Sequence, residues 1–175
     1  MKWLFLALLA LAAVAAVIAI VGWLLPVAHT ASRERVLPAP PERVWRAITQ
    51  VERYPSWRSD VRRVELRPAP DGRLGWREEG RGGTMTFLAD RMDPPHHLVV
   101  RIADPNLPFG GSWTYALAPA EAGTRVAITE NGEVYNPVFR FLSRFVFGHE
   151  ATIATYLTDL EREVTASSEE AGRGK

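Results

Sequence analysis

Two glutamates stand at the ends of alternating apolar rows in this sequence. Glu78 ends a row that begins at Leu74, and Glu130 ends a row that begins at Val126. Because strand residues two apart share a face, each carboxylate follows its apolar neighbours to the same side of a sheet. If that side is interior, desolvation raises the carboxyl pKa, and the group can act as a general acid or base or hold a polar head group. The alternative is that each row simply ends at solvent.

A histidine falls on the apolar stripe of the last helical segment. His149 lies between Phe145 and Ile153 at helical spacing. An imidazole in this place can bind a ligand or move a proton, although a single histidine on an apolar face is more often structural. Proximity to Glu130 in space would strengthen a catalytic role. The catalytic candidates are therefore Glu78, Glu130 and His149, with none of them decided.

The sequence does not indicate a metal or phosphate site. Cysteine is absent, and His96 and His97 are adjacent on a predicted strand, so their side chains point to opposite faces. The glycines at 80, 82 and 83 lack the lysine and the strand–helix context of a phosphate-binding loop. We expect neither a metal nor a cofactor.

The elements that position these residues follow from the period of the apolar pattern. Helical spacing predicts a helix over Glu42–Val51, and a shorter helical or turn segment follows it. From Val61 the period becomes two, without helix-length segments between the strands, which predicts an antiparallel meander. The predicted strands are Arg33–Leu37, Val61–Arg67, Arg73–Glu79, Gly83–Arg91, His97–Ala103, Gly111–Ala118 and Thr124–Asn131.

The carboxyl-terminal segment returns to helical spacing. Asn136 is a candidate amino-terminal cap with Pro137 at the first helical position. Apolar residues from Val138 to Val164 predict one long amphipathic helix, bent near Gly148, which needs the sheet to cover it. This order predicts an α+β helix-grip fold, in which a curved antiparallel sheet of six to seven strands wraps around the long carboxyl-terminal helix.

Several stretches resemble a known family. VLPAPPERVWRAITQVERYPSWRSDVRRVEL is similar to the amino-terminal signature of the START-like (SRPBCC) superfamily, which includes polyketide cyclases and lipid-transfer domains. LPFGGSWTYALAP, GTRVAITENGEV and NPVFRFLSRFVFG followed by TIATYLTDLEREV resemble its closing strands and helix. The resemblance covers residues 32 to 165 and implies the helix-grip fold and an apolar ligand, since members bind or transform very different apolar molecules.

A ligand in such a domain would lie between the sheet and the helix. The expected lining consists of the inward strand positions and the inner stripe of the helix, most of which packing alone would also explain. These residues are Trp76, Met85, Phe87, Val100, Trp113, Tyr115, Ile128, Leu142, Phe145, His149 and Ile153.

The amino-terminal segment carries no charge from Trp3 to Val27. Its apolar run to Leu25 is 23 residues, long enough to cross a hydrocarbon layer of about 30 Å. The run exceeds the apolar core of a secretory signal peptide, and no clear small-x-small cleavage site follows it. We therefore expect an uncleaved single-pass membrane anchor over residues 1–30, a START-like domain over 31–166 and a disordered tail over 167–175. The side of the membrane that the domain faces is open.

Three functions are compatible with these features. The first is a membrane-anchored binding or carrier domain for a hydrophobic small molecule such as a lipid or quinone. The second is a cyclase or dehydratase that transfers protons through a cavity glutamate or histidine. The third is an interaction domain that uses the apolar surface Phe139–Phe147. A net charge of +1 without basic blocks does not indicate nucleic-acid binding, and the oligomeric state is open.

Overall fold

The computed structural model describes residues 1–147 and 150–173. An apolar amino-terminal helix precedes a seven-stranded sheet, and helices lie against one face of that sheet. The elements are α1 (Lys2–Leu24), β1 (Ala28–Leu37), α2 (Pro41–Thr49), a 3₁₀ turn (Val51–Arg53), α3 (Tyr54–Trp57), β2 (Val61–Leu66), β3 (Gly75–Gly80), β4 (Gly83–Asp93), β5 (His97–Ile102), β6 (Phe109–Ala120), β7 (Gly123–Val134), α4 (Pro137–Leu142), a π-helical turn (Ser143–Phe147) and α5 (Ala151–Arg173).

The sheet is antiparallel throughout, in the order β1-β7-β6-β5-β4-β3-β2. Only the β1–β7 pairing joins strands that are distant in sequence, and the other strands form the predicted meander. The helix-grip fold is confirmed. The first strand begins five residues before the predicted Arg33, because the register pairs Ala28 with Glu133 near the end of β7.

The core lies between the inner face of the sheet and α5. Five residues of α5 recur at helical spacing, and each is at most 4% exposed. They are Ile153, Tyr156, Leu157, Leu160 and Val164. Ion pairs also join the edge strand β1 to α5 and to the residue before it, since Arg35 contacts Glu161 at 2.8 Å and Arg33 contacts Glu150 at 2.7 Å.

The prediction of one long helix from Val138 to Val164 is confirmed for α5 and wrong for the part before it; the predicted bend near Gly148 falls on a residue outside the described ranges. The segment divides into α4, a π-helical turn and α5. Asn136 does cap α4, accepting hydrogen bonds from the backbone amides of Val138 and Phe139. This first part packs against the end of α1 instead of lying on the sheet, which explains why its sequence is apolar on more than one face. The backbone of α5 is helical as far as Arg173, within the segment expected to be the tail.

Candidate functional site

A buried ion pair occupies the interior of the grip. Arg58 follows α3, and its Nη1 donates to both carboxylate oxygens of Glu78 on β3, at 3.0 and 3.2 Å. The other side of the guanidinium donates to the two oxygens of Asp60, at 3.1 and 2.7 Å. The Trp76 indole donates to Glu78 Oε1 at 2.7 Å. The Glu78 side chain is only 5% exposed, so the carboxylate depends on these donors in place of water.

Aromatic rings surround this pair. The Arg58 guanidinium carbon lies 4.9 Å from the ring centre of Tyr54 and 5.2 Å from that of Tyr156, within the range of cation–π contacts. Trp113 on β6 closes the group, with its ring centre 5.7 Å from that of Tyr156. The interior at this level is therefore packed.

The phenols here are neutral. Burial raises the pKa of Tyr54, Tyr115 and Tyr156 above the ordinary value, so each keeps its proton near neutral pH. The Tyr54 hydroxyl donates to the carbonyl of Ile48 at 2.7 Å. The Tyr156 hydroxyl is buried without a hydrogen-bond partner of good geometry among the described residues, although the other two phenols lie beside it. It can donate to a ligand that reaches it.

The raised pKa of Glu78 should make the stability of the protein depend on pH. Burial raises the pKa of Glu78 above its ordinary 4.5, although Arg58 and the Trp76 indole oppose the shift. The folded protein therefore holds this proton more firmly than the unfolded chain, so the stabilisation is full below the unfolded pKa and is lost as pH rises through the folded pKa. Urea unfolding of the wild type and Glu78→Gln from about pH 4 to 7 should show the wild type losing stability relative to the variant. A constant or opposite difference would contradict this assignment.

Glu130 also faces inward, with a different partner. It lies opposite Ala31 of β1 in the register, and its Oε1 is 3.3 Å from His29 Nε2. The two side chains are 21% and 16% exposed, so they are only partly removed from water. His29 lies over Gly132, where a Cβ would stand 2.3 Å from the imidazole. This pair sits at the end of the sheet where β1 begins and β7 ends.

The same end of the sheet carries half-buried apolar side chains. They belong to β4, β5, β6 and α4, and each is only partly buried. The innermost of them are Trp113, which contacts Tyr156 of α5, and Phe87, which stacks on Trp76. We call this group of half-buried side chains the open end; its residues are Met85, Phe87, Ile102, Trp113 and Leu142. The register places Phe87 opposite Ile102 and Glu130 opposite Trp113, so these strand side chains share the inner face. The Arg58–Glu78 pair and the rings of Tyr54 and Tyr156 lie deeper.

Two surface depressions lie on the other, outer face of the sheet. The smaller, of about 210 Å³, is lined by Arg77, Thr86 and Asp104. The larger, of about 560 Å³, is lined by residues of β5, β6 and β7, among them Arg101 and Ser112. Neither lies in the predicted space between sheet and helix. Within the described ranges, no three His, Asp or Glu side chains are grouped as a metal site would require.

The sequence matches a family model over most of its length. The model describes polyketide cyclase/dehydrase and lipid transport, and it matches residues 28–165. The chain belongs to this family. The match begins at the first residue of β1 and ends within α5, so it covers the whole grip and leaves out the apolar helix α1.

Solved structures share the fold of this polyketide cyclase/dehydrase family member. A Thermus thermophilus protein is 26% identical with a TM-score of 0.66, covering 80% of this chain and 99% of its own. The Zhui aromatase/cyclase from Streptomyces sp. R1128 is 16% identical with a TM-score of 0.67, covering 83% and 98%. A START superfamily protein from Mycobacterium smegmatis is 18% identical with a TM-score of 0.61, covering 79% and 98%. The START-like resemblance is confirmed. No curated protein matches the chain.

The residues predicted to line a ligand cavity take three kinds of position in this family member. The deepest are fully buried core residues: Trp76, Val100, Tyr115, Ile128 and Ile153. Half-buried residues at the open end are Met85, Phe87, Trp113 and Leu142. Phe145 differs from the expectation, because it is 60% exposed on the π-helical turn and does not face the sheet. His149 lies outside the described residues.

Sequence reasoning missed the partners of both glutamates. Arg58 lies in an irregular segment, 20 residues before Glu78, and His29 lies 101 residues before Glu130. A period-two pattern shows which face of the sheet a side chain lies on, but not which distant residue it contacts. The sequence therefore could not predict these two pairs. A signal was available for Tyr156, which falls on the inner stripe of the last helix as a polar-tipped aromatic.

The helix α1 is long and apolar enough to cross a membrane, and none of the residues in its most apolar stretch is buried. At about 1.5 Å per residue its 23 residues extend for roughly 34 Å. Secretory signal sequences pass the same test of length and composition.

Proposed function

We propose that this protein is a membrane-anchored binding or carrier domain for a hydrophobic small molecule, such as a lipid or quinone, which enters the open end. The observation that carries the proposal is the group of half-buried apolar side chains on the inner face, Met85, Phe87, Ile102 and Trp113. Leaving such surface in contact with water costs roughly 25 cal/mol per Å², and an apolar ligand would cover it. The family's description, which includes lipid transport, agrees with this chemistry.

The deeper residues suit the polar end of such a ligand. Trp113 contacts Tyr156, so a molecule that lies along Trp113 reaches toward the Tyr156 hydroxyl, which has no hydrogen-bond partner of good geometry in the part of the chain that the structure describes. Glu130 and His29 stand at the side of the same opening. A small number of polar groups in an apolar wall is the usual composition of a ligand site, where the polar groups fix orientation. The anchor α1 would supply the ligand from the bilayer.

Photo-crosslinking tests this proposal. The full chain is reconstituted in liposomes containing a diazirine-bearing lipid, and crosslinked peptides are mapped by mass spectrometry. We expect crosslinks on β4 and β6, and Met85→Glu should reduce them by at least about tenfold, because a carboxylate against an apolar ligand costs more than 1.4 kcal/mol. The same change at Met92, which lies farther along β4 and is 38% exposed, is the matched control and should leave the crosslinks unchanged. Crosslinks confined to α1 in every variant would contradict binding.

A cyclase-type enzyme is the second candidate. The observation that favours it is the buried Glu78 carboxyl with a raised pKa, as a proton-transferring group requires. Against it, the oxygens of Glu78 already accept hydrogen bonds from Arg58 and Trp76, which leaves little capacity for a substrate. If Glu78→Gln abolished turnover of an apolar substrate while the substrate still bound, an enzymatic function would explain the protein better than a carrier function.

A further inference from the structure

An exposed apolar stripe runs along α4 and the π-helical turn. Val138 and Phe139 are 43% and 50% exposed, and Phe145 and Val146 are 60% and 62% exposed. The first pair lies on α4 and the second on the π-helical turn that directly follows it. We call these four residues the α4 stripe. It is separate from the open end and from the buried core.

The α4 stripe is held beside the carboxyl end of α1. Gly22 of α1 meets the backbone of α4 so closely that a Cβ on it would lie 1.9 Å from the Pro137 carbonyl oxygen. Arg140 of α4 is buried, and its Nη1 donates to the Leu25 carbonyl at 2.8 Å, just beyond the end of α1. Its Nε and Nη2 donate to the carbonyls of Val134 and Tyr135 at 2.8 and 3.0 Å. One guanidinium therefore joins the end of α1, the end of β7 and α4.

From this placement we propose that the α4 stripe enters the membrane interface beside α1 and sets the open end of the sheet against the bilayer. The inference rests on the proposed anchoring by α1, and it adds a second membrane contact and a route for the ligand. A molecule leaving the bilayer next to α4 would meet Leu142 and the inner-face residues of the open end without crossing bulk water. The carrier would then take its ligand directly from the lipid.

A bilayer fits the α4 stripe better than a protein partner does. The stripe continues the exposed apolar surface of α1, where Trp23 and Leu24 are 72% and 71% exposed, so a single bilayer surface covers both. Residues 137–147 include no acidic side chain, and the exposed Arg144 suits anionic head groups. Exposed phenylalanine and valine beside an exposed arginine are typical of segments that lie in the interface.

The absence of cysteine from the chain allows a direct test with single labels. Val146→Cys, Ala118→Cys and Leu11→Cys are each made in the full chain, labelled with an environment-sensitive fluorophore and reconstituted in anionic liposomes. Ala118 is exposed on β6 near the end of the sheet opposite α4, and Leu11 lies in the middle of α1. We expect the Val146 label to shift to shorter wavelength and to be quenched by lipids with nitroxides in the shallow part of the acyl chain. The Ala118 label should respond only to a quencher in water.

The controls separate this inference from the anchor itself. If the Leu11 label is quenched by lipid and the Val146 label only by a water-soluble quencher, the α4 stripe lies outside the membrane and the inference fails while the anchor stands. If the Val146 label is shielded from both quenchers, a second copy or a protein partner covers the stripe, which also overturns the inference. If the Leu11 label is open to water, the anchor fails, and the inference fails with it.

Discussion

Arg58→Met is expected to lower the free energy of unfolding by about 3–5 kcal/mol, the range for breaking a buried ion pair from one side. Methionine fills much of the volume of the arginine stem, so the loss comes mainly from leaving the Glu78 carboxylate buried with the Trp76 indole as its one remaining donor among the described residues. Urea unfolding of the full chain in a mild detergent measures it. The loss should shrink at acid pH, because Glu78 can then take up a proton and lose its charge.

Two variants serve as controls for Arg58. Arg67→Met removes a pair with Glu65 in which both side chains are about half exposed, and it should cost no more than about 1 kcal/mol. The double variant Arg58→Met, Glu78→Gln should regain much of the stability lost, since position 78 then carries no buried charge. If the double variant were as unstable as Arg58→Met alone, the loss would come from packing around the arginine stem, and the charge argument would be wrong.

Arg140→Met is expected to have the second largest effect, a loss of about 3 kcal/mol or more. Three backbone carbonyls lose a charged donor, and each such hydrogen bond contributes about 1.5–3 kcal/mol when measured singly, though the three do not add. The arginine also lies at the carboxyl end of α1, where a positive charge favours the helix dipole. Hydrogen exchange should accelerate at α4 and at the start of β1, and remain slow in β3 and β4.

Two substitutions make the Arg140 experiment specific. Arg144→Met makes the same change at an exposed position on the adjoining turn and should stay within about 0.5 kcal/mol of the wild type. Arg140→Lys should recover only part of the stability, since an ammonium group cannot span carbonyls from three segments as the guanidinium does. Unchanged exchange at α4 in Arg140→Met would show that this residue does not hold α1 to the sheet domain.

The fold was accessible from the sequence because each element has a local signal. Alternation of apolar and polar residues predicts the inner face of β3 through β7, apart from a bulge in β4 between Ala89 and Arg91. Pro41 and Pro137 mark the first residues of two helices, and the structure has α2 and α4 beginning there. These signals depend on near neighbours in the chain. The same alternation also predicts that Glu78 and Glu130 lie on the inner face, because the direction of a strand side chain follows from its place in the alternation.

The arrangement of the site was less accessible, because it depends on contacts between distant segments. Arg58 lies in an irregular stretch whose side-chain directions no period predicts, yet it neutralises the central carboxylate. The first part of the helix predicted from Val138 to Val164 differs from the prediction for a related reason. Apolar spacing cannot tell which surface a helix will cover, and here the first part packs on α1 while α5 packs on the sheet.

The central claim is that the open end holds a hydrophobic molecule drawn from the membrane. The most direct test is to purify the full chain from membranes, wash it in detergent, and quantify by mass spectrometry the small molecules extracted from wild type, Met85→Glu and Met92→Glu. We predict one apolar compound, near one per protein, that is retained by wild type and Met92→Glu and lost from Met85→Glu. Bulk lipid recovered in equal amounts from all three proteins, with no enriched compound, would contradict the account.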